Sequence, residues 1–199
     1  MSRGIRLVHH TRSEHVIEMI GGRLVDNRIV IWDLADSRTL FGDGYYGKPL
    51  GIPKPKGTDF DAPLVLDLIE GCYLAEKGKL KLTRMDGSVV SSTEIKRLCR
   101  KQYSDFDSKY LVFQDLRDRG YIVTPGIKFG CDFAIYERGP GIDHAPYLVQ
   151  VFRATDVLTA TGVVLAGRLA TTVKKQFILA IPKPRQTKVD YVGFDWWRA

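Results

Sequence analysis

Apolar residues in the first hundred positions recur with two periods, that of a strand and that of a helix. Arg23–Val25 and Ile29–Asp33 flank the turn-forming pair Asp26-Asn27, which predicts two strands of a short meander. Beyond Pro63, apolar side chains follow helical spacing as far as Gly78, a residue suited to the end of a helix. The N-terminal half is therefore predicted to mix strands and helices.

Two further helices are predicted around the middle of the chain. Ser91 and Glu94 have the spacing of a capping box, which marks the start of one helix. A second apolar stripe of helical period ends at Gly120. We place a domain boundary between these two helices, with an N-terminal domain at 1–104 and a C-terminal domain at 105–199.

The second half changes to short strand-like runs interrupted by one long helix. The strands are predicted at 121–124, 132–136, 147–152, 177–181 and 189–194, and the helix at 158–174. The order of elements predicts an α+β protein, in which an N-terminal α+β domain precedes a C-terminal α/β domain with a mixed sheet.

The run FGDGYYGKPLGIPKPK at 41–56 interrupts the N-terminal half. Its four glycines and three prolines suit neither a helix interior nor a central strand. An exposed basic loop carrying two tyrosines is therefore predicted at 41–57. Loops longer than about 12 residues are more often functional than idle.

Charge and composition narrow the class of partner. The 30 Lys and Arg residues exceed the 23 Asp and Glu, and the net charge of +7 favours a polyanionic partner. No run approaches the roughly 20 apolar residues of a membrane span, and the first residues lack a signal-peptide pattern, so a soluble cytoplasmic protein is expected. Cys72, Cys99 and Cys131 lack the paired spacing of a zinc site and are predicted to be buried thiols. No metal or cofactor is predicted.

Tyr136 and His144 are predicted to lie at one end of a sheet. Because side chains alternate along a strand, Tyr136 faces away from Phe133 and Ile135. His144 follows eight positions later, just before the next strand.

The long helix adds two cations. At about 100° per residue, Arg168 and Lys175 lie along one edge of its apolar stripe, whereas Lys174 points to the solvated side. The stripe consists of Leu158, Leu165, Leu169 and Val173.

A phenol, an imidazole and an ammonium group in a basic protein suit metal-free RNA cleavage. The ribose 2′-hydroxyl must lose a proton, the leaving 5′-oxygen must gain one, and charge on the phosphorane oxygens must be stabilised. His144, with a reference pKa of about 6.5, suits the acid, and Lys175 suits the charge. Tyr136, with a reference pKa of about 10, needs a nearby cation or an activated hydrogen bond to act as a base.

Most of the chain resembles the archaeal tRNA-splicing endonucleases. The matching stretches are YLVFQDLRDRGYIVTPGIKFGCDFAIYERG, HAPYLVQVF and RLATTVKKQFILAIP in the second half, and YYGKPLGIPKPKGTDFDAPLVLDLIEGCYLAEKGKL in the first. The resemblance implies a nuclease-like C-terminal domain that excises introns from precursor tRNA at bulge-helix-bulge motifs, leaving 2′,3′-cyclic phosphate and 5′-hydroxyl ends. The family's catalytic trio falls on Tyr136, His144 and Lys175.

The resemblance also implies RNA contacts and a partner. Arg168, paired with Arg198, would hold a bulge nucleotide through cation–π contact. Lys48, Lys54 and Lys56 would lie near the substrate. Self-assembling members carry an acidic loop between the last two strands that docks into a basic cleft on another subunit, but that loop here is PKPRQTK. Charge complementarity then calls for a second, noncatalytic subunit with an acidic loop, in an α2β2 heterotetramer.

Two alternatives stay open. One is a noncatalytic RNA-binding or scaffold subunit of the same complex. The other is a metal-dependent nuclease with the pattern D…(E/Q)xK, since Asp132 and Gln150 have a suitable spacing. Phe152 stands where that pattern requires lysine.

Overall fold

Each half of the chain is built on its own five-stranded sheet. The computed structural model describes residues 19–142, 144–172 and 174–194. The first half contains β1 Ile20–Val25, β2 Arg28–Ile31, α1 Leu34–Gly44, β3 Lys48–Pro49, β4 Leu64–Asp67, α2 Leu68–Glu76, β5 Leu80–Thr83 and α3 Ser92–Gln102. Its strands are ordered β3-β4-β2-β1-β5, and only the β1–β5 pair among them is parallel.

The second half also forms a five-stranded sheet, but here strands that are adjacent in the sequence are adjacent in the sheet. It contains α4 Phe106–Asp118, β6 Ile122–Pro125, β7 Phe133–Tyr136, β8 Tyr147–Val151, α5 Ala160–Thr172, β9 Gln176–Lys183 and β10 Lys188–Phe194. The strands are ordered β10-β9-β8-β7-β6. Here β8 and β9 pair in parallel and their other neighbours are antiparallel, because α5 carries the chain back between them. The predicted α+β class with a mixed C-terminal sheet is confirmed.

One hydrophobic core joins the two halves. It contains Ile31 and Leu66 from the first sheet and Ile135 and Val149 from the second, with Phe113 of α4 among the residues that join them. A smaller cluster, formed by residues such as Ala134 and Leu148, covers the opposite face of the second sheet. The second sheet is therefore packed on both faces.

Arg117 of α4 ties the halves together by polar contacts inside this core. Its guanidinium donates hydrogen bonds to the carbonyl oxygens of Gly44 (2.7 Å) and Val123 (3.0 Å). It also lies 4.2 Å from the centroid of the Tyr46 ring and 3.9 Å from a carboxylate oxygen of Glu70. Burial raises the pKa of Glu70, and the charge of Arg117 opposes that rise.

Several local predictions are confirmed. Asp26 occupies the turn between β1 and β2, with φ at 50°. The hydroxyl of Ser91 accepts a hydrogen bond from the backbone N–H of Glu94 and so caps α3. Gly120, with φ at 88°, follows α4. All three cysteines are buried and free.

The predicted helix across 64–78 is wrong at its beginning. Leu64 and Leu66 lie in β4, which pairs with β2, and the helix begins only after Asp67. Asp67 and Glu70 form a capping box that stops the strand and starts α2. Leucines at alternate positions fit both a strand and the edge of a helical stripe, so pairing with β2 decides between them.

The predicted exposed loop at 41–57 is also wrong in its first part. Residues 41–44 complete α1, a helix that the sequence analysis missed, and Asp33 caps its start by accepting from the N–H of Asp36. Phe41 and Tyr46 are buried, with 3% and 7% of their surfaces exposed. The exposed loop is confined to the residues that follow β3.

The long helix is shorter than predicted, which changes the position of Lys175. It ends at Thr172, Lys174 adopts a left-handed conformation with φ at 54°, and Lys175 precedes β9. The helical phase that distinguished Lys175 from Lys174 therefore does not apply. Leu158 precedes the helix, whereas Val173 and the side chains of Leu165 and Leu169 lie outside the described part of the chain.

The predicted boundary at 104/105 falls between α3 and α4 and stays a prediction. Within the described residues, no helix combines the length and apolar character needed to cross a membrane.

Candidate active site at one edge of the second sheet

Strand register brings the three predicted catalytic residues to one edge of the second sheet. Tyr136 is the last residue of β7, whose Ile135 pairs with Tyr147 at the start of β8. Tyr147 pairs in turn with Gln176 at the start of β9. His144 lies three positions before β8, and Lys175 lies one position before β9.

Lys175 is anchored beside the residues that follow His144. Its Nζ donates a hydrogen bond to the carbonyl oxygen of Ala145, and the backbone N–H of Gln176 donates to the carbonyl oxygen of Pro146 at 2.8 Å. The ammonium also lies 5.3 Å from the centroid of the Phe129 ring, within cation–π range. These contacts fix the amine at the sheet edge.

Tyr136 and His144 differ in exposure. Tyr136 is half-buried against the smaller hydrophobic cluster, on the opposite face from Ile135, as strand alternation predicted. His144 is exposed, and the next residue, Ala145, is buried with 2% of its surface exposed. The imidazole is therefore open to solvent while the backbone beside it is packed.

A second lysine that approaches the same aromatic ring as Lys175 was missed by the sequence analysis. Lys128 lies in the 3₁₀ turn Ile127–Phe129, and its Nζ is 6.0 Å from the Phe129 ring that Lys175 also approaches. The adjacent Lys-Phe pair was visible in the sequence, but only the fold shows that the ring is shared by two cations.

The basic loop of the first half reaches the same edge. Lys54 and Lys56 of this loop are exposed, as is Lys48 of β3, which precedes it. Pro55 lies between Lys54 and Lys56. Its carbonyl oxygen is 3.5 Å from the position that a Cβ atom on Gly141 would occupy. The loop therefore contacts the segment that connects Tyr136 to His144.

The two predicted arginines have different outcomes. Arg168 is exposed on α5, and its carbonyl oxygen accepts a hydrogen bond from the Thr172 hydroxyl at 2.8 Å. Arg198 lies outside the described residues, so its predicted pairing with Arg168 stays untested.

Comparison with known proteins identifies the family. Residues 106–191 match the model of the tRNA intron endonuclease catalytic C-terminal domain, and residues 20–96 match that of the tRNA intron endonuclease N-terminal domain. The chain is 48% identical over 178 residues to a tRNA-splicing endonuclease of Hyperthermus butylicus, with 89% of this chain and 98% of the relative covered. The chain belongs to the tRNA intron endonuclease family.

Other relatives extend the same likeness. A tRNA-splicing endonuclease of Sulfurisphaera tokodaii is 39% identical over 176 residues, covering 88% of this chain and 97% of the relative. One from Saccharolobus islandicus is 37% identical over 179 residues, covering 89% and 98%. The predicted catalytic residues all fall within the part matched by the family's catalytic domain.

Asp132, the residue of the alternative metal-dependent pattern, is fully engaged within this family's fold. One carboxylate oxygen lies 3.0 Å from Nζ of Lys109. The other accepts hydrogen bonds from Gln150 Nε2 (2.7 Å) and from the backbone N–H of Val151 (2.8 Å). Asp132 thereby connects α4, β7 and β8.

The hairpin between the last two strands is cationic, as the sequence PKPRQTK indicates. It contains the 3₁₀ turn Pro184–Gln186, with Lys183, Arg185 and Lys188 exposed around it. Lys183 forms an ion pair with Asp190 of β10.

One cavity of the second half is separate from the candidate site. It measures about 420 Å³ and is lined by residues that include Ile135, Tyr147 and Tyr191. Ile135 and Tyr147 are a cross-strand pair on the face opposite to Tyr136. Burial, reinforced by Glu137, raises the pKa of Tyr147, whose hydroxyl donates to a Glu137 carboxylate oxygen at 3.3 Å.

Proposed function

We propose that this chain is the catalytic subunit of a tRNA-splicing endonuclease that excises introns at bulge-helix-bulge motifs. The observation that carries the proposal is the meeting of Tyr136, His144 and Lys175 at one sheet edge, beside two exposed sources of positive charge. One source is the Lys128–Phe129 turn, and the other is the basic loop.

The proposed chemistry is a metal-free transesterification. The ribose 2′-oxygen attacks the adjacent phosphorus and loses its proton to Tyr136, forming the 2′,3′-cyclic phosphate. The bond to the 5′-oxygen breaks as His144 donates a proton to that oxygen, leaving a 5′-hydroxyl. Lys175 stabilises the charge on the phosphorane oxygens, and a cation close to the Tyr136 hydroxyl would favour ionisation of the phenol.

RNA binding is assigned to exposed cations around this edge. Lys48, Lys54 and Lys56 would contact the phosphate backbone, while Arg168 and Arg198 would hold a bulged base. Bulged nucleotides are the accessible part of an A-form duplex, so shape governs recognition more than sequence does. Precursor tRNA is an intracellular substrate, and we place the activity in the cytoplasm.

We also propose that the cationic hairpin requires a second subunit. A loop that carries Lys183, Arg185 and Lys188 is not complementary to a basic cleft, so a noncatalytic partner with an acidic loop would complete an α2β2 assembly. Native mass spectrometry of the two chains after mixing should give that stoichiometry. A stable, active homotetramer of this chain would contradict it.

The two alternatives have less support. A purely scaffolding subunit has no need of the three catalytic residue types at one edge. A metal-dependent nuclease would use Asp132 as a ligand, but Lys109, Gln150 and the Val151 N–H already occupy its oxygens.

The test is cleavage of a bulged RNA by the assembled enzyme in excess EDTA, with analysis of the product ends. We expect His144→Ala to slow cleavage by about 10²- to 10⁴-fold, the range for loss of a general acid. RNA affinity should change little, because RNA binding is assigned to the exposed lysines and arginines and not to the imidazole. Undiminished cleavage by the variant would refute the assignment, and loss of wild-type cleavage in EDTA would favour the metal-dependent alternative.

A further inference from the structure

The loop between Tyr136 and His144 is packed against the N-terminal half at Gly139. Gly139 is buried, and its φ of 137° is a conformation that side chains other than glycine rarely adopt. A Cβ at this position would stand 2.4 Å from Cε2 and 2.6 Å from Cζ of Tyr45. The Tyr45 ring therefore lies directly against the Gly139 backbone.

Tyr45 is itself held firmly. It ends α1 in a left-handed conformation with φ at 54°, and its backbone N–H donates to the carbonyl oxygen of Phe41 at 2.7 Å. Its ring packs edge-on against the Phe41 ring, with centroids 5.1 Å apart. The backbone on both sides of Tyr45 is also held. Arg117 donates a hydrogen bond to the Gly44 carbonyl oxygen, and the Gly47 N–H donates one to the Glu70 carboxylate.

The loop that meets this ring leads directly to the proposed acid. Ile142 donates its backbone N–H to the carbonyl oxygen of Gly139 at 3.1 Å, which closes a turn two residues before His144. On the far side of His144, the Ala145 carbonyl is bound by Lys175. The backbone that carries the imidazole is thus supported at both ends, at Gly139 by Tyr45 and at Ala145 by Lys175.

We propose that Tyr45 is a positioning residue for RNA cleavage, whose ring fixes the Gly139–Ile142 turn and thereby the place of His144 relative to Tyr136. This inference rests on the proposed function. Tyr45 itself touches no reacting atom. A shift of about 1 Å in a catalytic group can lower a rate 10²-fold, so loss of the ring should act on the chemical step.

The test is a double-mutant cycle of Tyr45→Ala and Gly139→Ala, followed by single-turnover cleavage of a bulged RNA. Tyr45→Ala should lower kcat by about 10- to 100-fold while KM changes less than about threefold. Tyr45→Phe, which keeps the ring carbons that meet Gly139, should restore the wild-type rate. Gly139→Ala should cost less in the Tyr45→Ala background than in wild type, because the ring it would strike is gone.

Tyr103→Ala is the matched control. Tyr103 is also partly buried against the main core, and its ring packs on Phe106, 6.3 Å between centroids. Its removal should lower thermal stability to a similar degree but leave kcat unchanged. An equal loss of kcat in Tyr103→Ala would mean that general destabilisation, not positioning, explains the Tyr45 effect.

Hydrogen exchange separates this inference from the proposed function. Amide exchange across residues 137–144 should speed up in Tyr45→Ala and not in Tyr103→Ala, whether or not RNA is cut. If wild type cleaves, His144→Ala does not, and Tyr45→Ala matches wild type in both rate and exchange, the positioning inference is overturned and the proposed function stands. If wild type fails to cleave, the proposed function fails, while exchange still decides whether Tyr45 orders the loop.

Discussion

At the scale of single residues, neighbours in the sequence have sharply different surroundings. Lys174 and Lys175 share a side-chain chemistry, yet Lys174 is exposed in a left-handed turn and Lys175 is half-buried with its amine on the Ala145 carbonyl. The difference arises because α5 ends before them and β9 begins after them. Substituting each lysine in turn therefore tests whether the position of the amine, and not only its charge, matters for cleavage.

Lys175→Met should lower the cleavage rate by about 10²- to 10³-fold, the loss seen when one donor to a developing negative charge is removed. Lys174→Met should stay within about threefold of wild type. Single-turnover kinetics at saturating enzyme measures both, and circular dichroism melts confirm folding. Equal rates for the two variants would remove Lys175 from the proposed chemistry.

At the scale of secondary-structure elements, local signals identify boundaries where a side chain satisfies backbone groups. The Ser91 hydroxyl, 3.2 Å from the Glu94 nitrogen, caps α3 as its sequence pattern predicted. The second half of the predicted capping box, a hydrogen bond from the Ser91 N–H to the Glu94 side chain, is replaced by an ion pair between Glu94 and Arg84. The cap and the ion pair together join α3 to the end of β5.

Ser91→Ala should lower the free energy of unfolding by about 1 kcal/mol, the usual cost of losing an N-cap. Ser92→Ala is the control, since Ser92 is the first helical residue and equally exposed, and alanine favours the helix. Urea denaturation of both variants measures the difference. If Ser92→Ala proved the more destabilising, the cap would be assigned to the wrong serine.

Sequence patterns predicted the second half better than the first, for physical reasons. Its strands alternate cleanly and are separated by turns, and its sheet order follows the chain, so Tyr136 and His144 could be placed together. In the first half, Leu64 and Leu66 fit two periods, and only pairing with β2 selects the strand. The sequence predicts a loop from residue 41 because glycines at positions 42 and 44 are unusual in a helix, yet both lie in the last turn of α1. The contact of Tyr45 with Gly139 spans residues too distant for any local pattern.

At the scale of the whole molecule, a buried polar contact supports the association of the two halves. Arg117 belongs to α4 of the second half and Glu70 to α2 of the first half. Both lie inside the shared core, with 3% and 7% of their side chains exposed. A buried ion pair contributes little net stability, but removal of one partner leaves an uncompensated charge. The joint between the halves is consequently sensitive to a single substitution.

Arg117→Met should destabilise the protein by about 3–5 kcal/mol. Burial already raises the pKa of Glu70 above its ordinary value of 4.5, and loss of Arg117 should raise it further. The folded variant then binds this proton more tightly than folded wild type does, so its stability relative to wild type should fall as pH rises past the already raised pKa of Glu70 in the wild-type fold. Urea unfolding at several pH values measures this trend.

Two variants provide controls for the Arg117 substitution. Adding Glu70→Gln to Arg117→Met should recover part of the loss and flatten the pH dependence. Arg100→Met removes an exposed ion pair with Asp107 and should cost less than about 1 kcal/mol. A penalty for Arg117→Met that is independent of pH would show that lost packing, and not the stranded carboxylate, is responsible.

The shared core also has a consequence for how the chain is made. The first sheet emerges from the ribosome before α4 does, and at translation rates of about 5–20 residues per second that interval lasts for seconds. During it, apolar side chains such as Tyr73, which packs edge-on against Phe113 at 5.7 Å, have no partner from the later half. A nascent chain arrested with Tyr73 outside the ribosome and Phe113 still inside should therefore bind holding chaperones, and should lose that affinity once Phe113 has emerged.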